Sequence, residues 1–234
     1  MASKMGLSHE VHPRPTLLSD FILGSQDGLV NVLGILLGLV AAGSPHRILV
    51  VAALAALAAE SISMGAVAYT STRARRSLYL SEVERERREM QEVPEMEREE
   101  VRVILRKWGF EGDEVEDMLR RIEAKPKAWL DLMMAFELNL AEVPAHQPLT
   151  SGLTVLGATV AGSLVPLVPF LVGLPPVSGA ITSVVLTGAM LIAIGIYEAR
   201  TTVGSWLASG ARMLLIGLGA GLAGFLVGKI FGAY

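Results

Sequence analysis

The chain has 234 residues, 52% of them hydrophobic and 24 of them glycine, and its mean hydropathy of +0.50 is too high for an ordinary soluble domain. Its charge is confined: positions 73–146 hold 14 of the 20 Lys/Arg and 18 of the 23 Asp/Glu, the pattern of a membrane protein with one aqueous domain. The absence of cysteine excludes disulfide scaffolds, thiolate metal sites and Cys nucleophiles, and the net acidity of the charged block excludes a nucleic-acid binder.

The N-terminal stretch MASKMGLSHEVHPRP is polar and lacks the short apolar core and small-residue cleavage site of a signal peptide. A bilayer core of ~30 Å needs ~20 mostly apolar helical residues. Five stretches qualify, at 20–42, 48–70, 149–172, 178–197 and 211–234. The connections at Gly43-Ser44-Pro45 and Pro175-Pro176 are short, which predicts helical hairpins for spans 1–2 and 3–4. Span 1 carries Gly34-x-x-x-Gly38, and span 5 carries Ala220, Gly224, Gly228 and Gly232 at the same four-residue repeat. Such stripes let helices approach closely in lipid, either as generic packing or as a subunit interface. Pro166 and Pro169 interrupt span 3 and free carbonyl oxygens, giving either a structural kink or the lining of a polar cavity.

Between spans 2 and 3, Pro94, Gly109, Gly112 and Pro126 punctuate the charged block. They predict a helix running out of span 2 to Glu92 and further helices over 94–108, 113–124 and 126–140. Asp113 with Glu116 resembles a capping box, and Pro94 and Pro126 suit first-turn positions. No strand pattern is visible. The fold class is an all-α membrane protein of five transmembrane helices, with a helical cytoplasmic domain inserted between spans 2 and 3 (segments 1–72, 73–146 and 147–234). Basic residues set the orientation: Lys4, Arg14, Arg73, Arg75, Arg76, Arg200 and Arg212 outnumber Arg47 and Lys229, which puts the N-terminus and the charged block on the cytoplasmic side.

Two acids, Asp27 and Glu60, lie within spans. A carboxylate near the bilayer centre costs ~2.5–3.5 kcal/mol on insertion scales, so such residues mark ion or proton pathways. The helix face of Asp27 includes Gly24 and Asn31, and Met64 lies at i+4 from Glu60. Carboxylate oxygen with thioether sulfur suits a borderline transition metal better than Mg²⁺ or Na⁺. The alternative is a protonated Glu60 hydrogen-bonded within the bundle, with Met64 as packing. In the charged block Glu82, Glu86 and Glu89 share a face, Glu97 and Glu100 are one turn apart, and Met133, Met134 and Glu137 fall together. Spacing alone does not distinguish a metal site here from a solvated face paired with Arg85, Arg87, Arg88 and Arg98. His9, His12, His46 and His146 show no metal-ligand spacing; there is no Walker A loop, and no nucleophilic triad can be assembled. The sequence does not read as an enzyme.

Taken together, several motifs resemble the vacuolar iron transporter family, with the chain as a prokaryotic-type divalent metal exporter. They are Gly24-Ser-Gln-Asp27-Gly28-Leu, Ile62-Ser-Met64-Gly running to Tyr69 and Ser71, the Glu-rich helices, Met133-Met134-x-x-Glu137 and the Pro166/Pro169 element. The resemblance implies a homodimer of five-helix subunits in membrane lipid, with a path between subunits lined by the first spans. It implies transport of Fe²⁺, Mn²⁺ and related divalent metals out of the cytosol, with protons as counter-ion and no prosthetic cofactor. On this pattern Asp27 and Met64 match pathway residues. Glu86, Glu89, Glu97 and Glu100 match cytoplasmic metal-binding glutamates, and Met133, Met134 and Glu137 match the remaining ligands there. One departure stands out: plant members carry a second intramembrane glutamate where this chain has Ala56, and Glu60 lies one turn further along. The membrane site expected is Asp27, Glu60 and Met64. The membrane itself is the inner membrane if the source is prokaryotic, the vacuolar one if eukaryotic. The rival reading is a membrane-anchored metal sensor or buffer that transports nothing.

Overall fold

Short glycine turns decide where the long helices stop. In the computed structural model, which describes residues 15–201 and 204–232, helix α1 (Pro15–Ala41) closes at Gly43, whose φ is +72°. There Ser44 N–H donates to the Leu39 carbonyl at 3.0 Å and Gly43 N–H to that of Val40 at 3.0 Å. This Schellman arrangement satisfies the last carbonyls with a left-handed residue, and Pro45 then leads into α2 (His46–Glu92). Helix α6 (Gln147–Leu171) ends the same way at Gly173, φ +83°, with Leu174 N–H on the Pro169 carbonyl at 3.1 Å, before α7 (Pro176–Thr201). Both short connections expected from the sequence are therefore present. Helix α8 (Trp206–Phe231) begins five residues before the expected boundary. Lys4, Arg14, His9, His12 and Tyr234 lie outside the described residues.

Among the described residues, five helices (α1, α2, α6, α7 and α8) are long and apolar enough to cross a membrane by length and composition. Helix α2 has 47 residues, about 70 Å at the α-helical rise. It far outruns a ~30 Å hydrocarbon core and carries its C-terminal part into the charged sequence. The chain divides into two compact units, one of α1, α2 as far as Tyr69, and Leu149 onward, the other Thr70–Pro148.

In the first unit α1 packs by backbone contact. A Cβ at Gly24 would come within 2.5 Å of the Val155 carbonyl on α6, and one at Gly28 would strike the Thr159 carbonyl. Further along α1, Gly34 and Gly38 lie against Gly224 and Gly228 of α8 just as closely. The small-residue stripes of spans 1 and 5 thus pack on each other within one chain. Apolar side chains fill the remaining space: Val32, Leu36, Leu49, Ala53, Leu167 and Phe170 in one cluster, and Leu29, Leu191, Ile194 and Met213 in another. At the proline step of α6, the buried Ser183 hydroxyl of α7 donates to the Pro166 carbonyl at 2.6 Å. Helix α6 continues through both prolines.

The second unit contains α3 (Pro94–Lys107), α4 (Asp113–Glu123), α5 (Pro126–Leu132) and a π-helical turn at Met133–Glu137. Val101, Ile104, Leu105, Val115, Leu119, Trp129 and Met133 form its core. Two expectations need correction. Asp113 does not cap α4: Gly112 holds the N-cap position at φ +55° with no side-chain cap, and Glu116 is taken by Arg102 at 2.8 Å instead. The last helix does not run to 140 as an α-helix. It changes to i→i+5 bonding, with Leu138 N–H on the Met133 carbonyl at 3.1 Å, and Asn139 then takes φ +53°.

The α1–α8 seam gives a direct test. Gly228→Val pushes a side chain into the Gly38 backbone, and should destabilise the purified protein by the ~1–3 kcal/mol typical of overpacking. Gly219→Ala, whose Cβ meets nothing within 4 Å, should be neutral or stabilising, because alanine is the better helix former by roughly 1 kcal/mol. Thermal unfolding in detergent reads both. Equal melting temperatures would show that the seam does not depend on this contact.

Candidate functional site

Two groups of acids stand apart from the ordinary surface, one in each unit. In the aqueous-type unit, Pro94 starts α3 two residues after α2 ends, so Glu97 turns toward Glu86. The π-turn carries Glu137 to the same place. Glu86, Glu97 and Glu137 each offer a carboxylate oxygen, and the three oxygens lie within 4.8 Å of one another. Glu86 and Glu97 are 1% and 2% exposed, which is rare for glutamate, and Oε2 of each is buried with no hydrogen-bond partner. Buried carboxylate oxygens without donors are costly unless something positive meets them.

The surroundings hold those oxygens near one another at an electrostatic penalty. Glu97 is pushed up to about 8, first by burial and then by the charges of Glu100, Glu86 and Glu137. Glu137 is exposed as a residue, yet partial burial of its carboxyl, then Glu100 and Glu86, push it up to about 7. Glu100 is raised as well, by burial and then by Glu89. The carboxyls of Glu86 and Glu97 come close enough to interact, as do those of Glu100 and Glu137. Two carboxyls can share a hydrogen bond only with a proton between them. Arg85 supplies a cation at the rim, 2.9 Å from Glu82, 3.5 Å from Glu89 and 3.9 Å from Glu86.

The other charged residues of this unit behave as a solvated face. Arg98 bonds Glu95 and Glu123, Arg102 bonds Glu99 and Glu116, and Arg106 meets Glu99 at 3.0 Å. The solvated-face reading of the Glu-rich stretch thus describes these residues, whereas Glu86, Glu97 and Glu137 bring three carboxyls together. Met133 and Met134 are 0% and 3% exposed, beside Glu137 in the chain; Met133 also packs into the apolar core.

In the membrane-type unit, Asp27 and Asn31 stand one turn apart on α1 by their i,i+4 spacing, close to where Gly24 and Gly28 pack on α6. Asn31 Nδ2 donates to Asp27 Oδ1 at 3.1 Å and also to Glu60 Oε1 of α2. The structure therefore joins Asp27 and Glu60 through an amide that the sequence offered only as a neighbour on the Asp27 face. Its i+4 spacing from Asp27 was the available signal; the partner on a second helix was not legible. Glu60 Oε2 is buried without a partner. Met64, half-buried, follows one turn later on α2. Asn31 also lines a groove of about 550 Å³ between α1 and α8, whose other walls include Gly34, Gly38, Gly224 and Gly228.

A model of the VIT family matches residues 18–229. Vacuolar iron transporter 1 of Arabidopsis thaliana is 33% identical over 214 residues, covering 92% of this chain and 86% of its own length. Vacuolar iron transporter 2 of Oryza sativa subsp. japonica is 35% identical over 214 residues, covering 91% and 87%. Protein CCC1 of Saccharomyces cerevisiae is 26% identical over 239 residues, covering 98% and 73%. With a family match over nearly its whole length and relatives above 30% identity, the chain belongs to the VIT family.

Proposed function

We propose that the chain moves Fe²⁺ and related divalent transition metals, Mn²⁺ among them, out of the cytosol in exchange for protons, as a homodimer in the membrane. The observation that carries this reading is the cluster of Glu86, Glu97 and Glu137, with its unpartnered buried oxygens, in a relative of proteins named vacuolar iron transporters. Three carboxylates, joined by the thioethers of Met133 and Met134 from the same π-turn as Glu137, would form a mixed oxygen and sulfur donor set, which suits borderline transition metals over Mg²⁺. Glu89 and Glu100 supply further negative charge around it, and Met134 a second buried thioether.

In this scheme the aqueous cluster collects metal, and Asp27, Glu60 and Met64 bind it in transit. Proton exchange follows from the chemistry of the ligands, since a carboxyl must lose its proton to take metal and regains it on release. The excess of Arg73, Arg75, Arg76, Arg200 and Arg212 favours a cytosolic 73–146 segment. The names of the plant relatives favour a vacuolar membrane; in a prokaryotic source the inner membrane takes that place. The second reading, a metal sensor or buffer, leaves Asp27 and Glu60 in apolar helices without a purpose.

Transport in sealed liposomes with a trapped metal-sensitive dye and a lumenal pH dye tests the proposal. Wild type should admit Fe²⁺ with opposite proton movement, and Asp27→Asn should abolish both while leaving the protein folded. Full transport by Asp27→Asn would remove it from the path, and binding without entry would favour the buffer. Glu86→Gln with Glu97→Gln should raise the half-saturating concentration more than it lowers the maximal rate; an unchanged concentration dependence would end the collector role.

The raised carboxyls also fix the sign of the pH response. A folded-state pKa above the ordinary 4.5 means the folded chain holds protons that the unfolded chain has lost. Stability of the metal-free protein should fall as pH rises from about 4.5 to about 8. Metal should counter this increasingly as those protons leave. Mn²⁺ added to weakly buffered protein at about pH 7 should release protons, and its affinity should rise between about pH 6 and pH 8. Glu97→Gln should flatten that rise. No proton release, or an unaltered profile in the variant, would count against the cluster as a metal site.

A further inference from the structure

We infer that Asn31 is a positioning residue for the membrane acids: its side-chain amide holds Glu60 of α2 to Asp27 of α1, so that the two carboxyls work as one site. The inference rests on the transport reading above and deepens it.

A primary amide nitrogen carries two hydrogens. In Asn31 one is directed to Asp27 Oδ1 at 3.1 Å on its own helix, and the other to Glu60 Oε1 on the neighbouring helix. Two acids side by side in an apolar helix pair repel when ionised, and each prefers a partner that favours its charged form. The amide gives a donor to both and adds no net charge, so it does not compete electrostatically with an arriving cation as an arginine or lysine would. Glu60 Oε2 is buried and has no partner. The amide contact at Oε1 therefore aims this side chain, and Oε2 remains available. Asn31 lies on the wall of the α1–α8 groove, among glycines and aliphatic residues. A polar side chain is costly in such surroundings unless its hydrogens are used, and here both are.

A plain interhelical hydrogen bond would stabilise the fold without altering how metal is bound. The test separates the two roles by half-saturation. Full-length wild type, Asn31→Ala, Asn31→Gln, Glu60→Ala and the double variant Asn31→Ala/Glu60→Ala are placed in sealed liposomes, and Fe²⁺ and Mn²⁺ entry is followed over a concentration series. Asn31→Ala should raise the half-saturating concentration about tenfold, the scale seen when a hydrogen-bond partner of a metal ligand is removed. Asn31→Gln, which keeps the amide donors, should recover most of that loss. In the Glu60→Ala background, Asn31→Ala should add little, because the carboxyl it aims is gone.

Wild-type half-saturation in Asn31→Ala, no recovery with Gln, or the full tenfold rise in the Glu60→Ala background would each overturn the positioning role. If Asn31→Ala is not monodisperse in detergent, Asn31→Ser takes its place, with one donor and a similar volume, under the same criteria. Wild type that binds metal without moving it overturns the transport reading and this role with it. Wild type that moves metal as well as Asn31→Ala does overturns the role alone.

Discussion

The membrane-type unit depends on how closely the backbone of α1 can approach its neighbours. Lipid tails are as apolar as leucine, so helices in a bilayer gain little from hiding aliphatic side chains from water and associate through close packing instead. Helix α1 makes such contacts at two levels, with Gly24 and Gly28 on α6 and Gly34 and Gly38 on α8. Two contacts on different neighbours fix both the depth of a helix and its rotation about its own axis. Asp27 and Asn31 lie within or between those two levels. Their direction is therefore set by residues that have no chemistry of their own, and a change at a glycine is felt at the acids.

The aqueous-type unit solves a different problem, which is to keep carboxyls together that repel once ionised. Its surface ion pairs, Arg98 with Glu123 and Arg102 with Glu116, tie α3 to α4. Exposed pairs of this kind are worth only about 0–1 kcal/mol each, so they are not what holds Glu86 and Glu97 in place. The apolar cluster around Val101, Leu105, Trp129 and Met133 is the stronger restraint. Met133 belongs both to that core and to the strand of chain that delivers Glu137. Core packing and the geometry of the acids are thus coupled, and a core substitution near Met133 should not be expected to leave the cluster unaltered.

Legibility in the sequence followed how local each signal was. The turns at Gly43 and Gly173 were readable because a left-handed glycine followed by proline stops a helix by its own conformational preferences. The capping box at Asp113 misled because its pattern is local, whereas the outcome was decided by Arg102 on another helix claiming Glu116. The π-turn at Met133–Glu137 left no sequence mark: α and π bonding differ by one residue of register, and tertiary packing chooses between them. In the Glu-rich stretch the residue types were visible but burial was not. Spacing could not tell Glu86 and Glu97 from Glu95 and Glu99, since only the chain reversal at Pro94 turns the first two inward.

The two acid groups differ in what holds them together, and that difference constrains what each can do. Glu86 adjoins Glu97 and Glu100 adjoins Glu137, carboxyl beside carboxyl, and two carboxyls that share a hydrogen bond need a proton between them. A divalent cation entering there, as proposed, would replace something that can leave, so its binding would be coupled to proton release and depend on pH. Between Asp27 and Glu60 the link is the Asn31 amide, whose hydrogens do not leave. In the proposed transit site a cation would meet the free Glu60 Oε2 while Oε1 stays on the amide. The amide would then keep the side chain aimed both as the cation arrives and after it moves on. A site that loads by losing protons responds to the pH of its own compartment, whereas a site reset by a fixed dipole returns to the same geometry after each passage. In the proposed scheme the first property suits a collector and the second a point of transit.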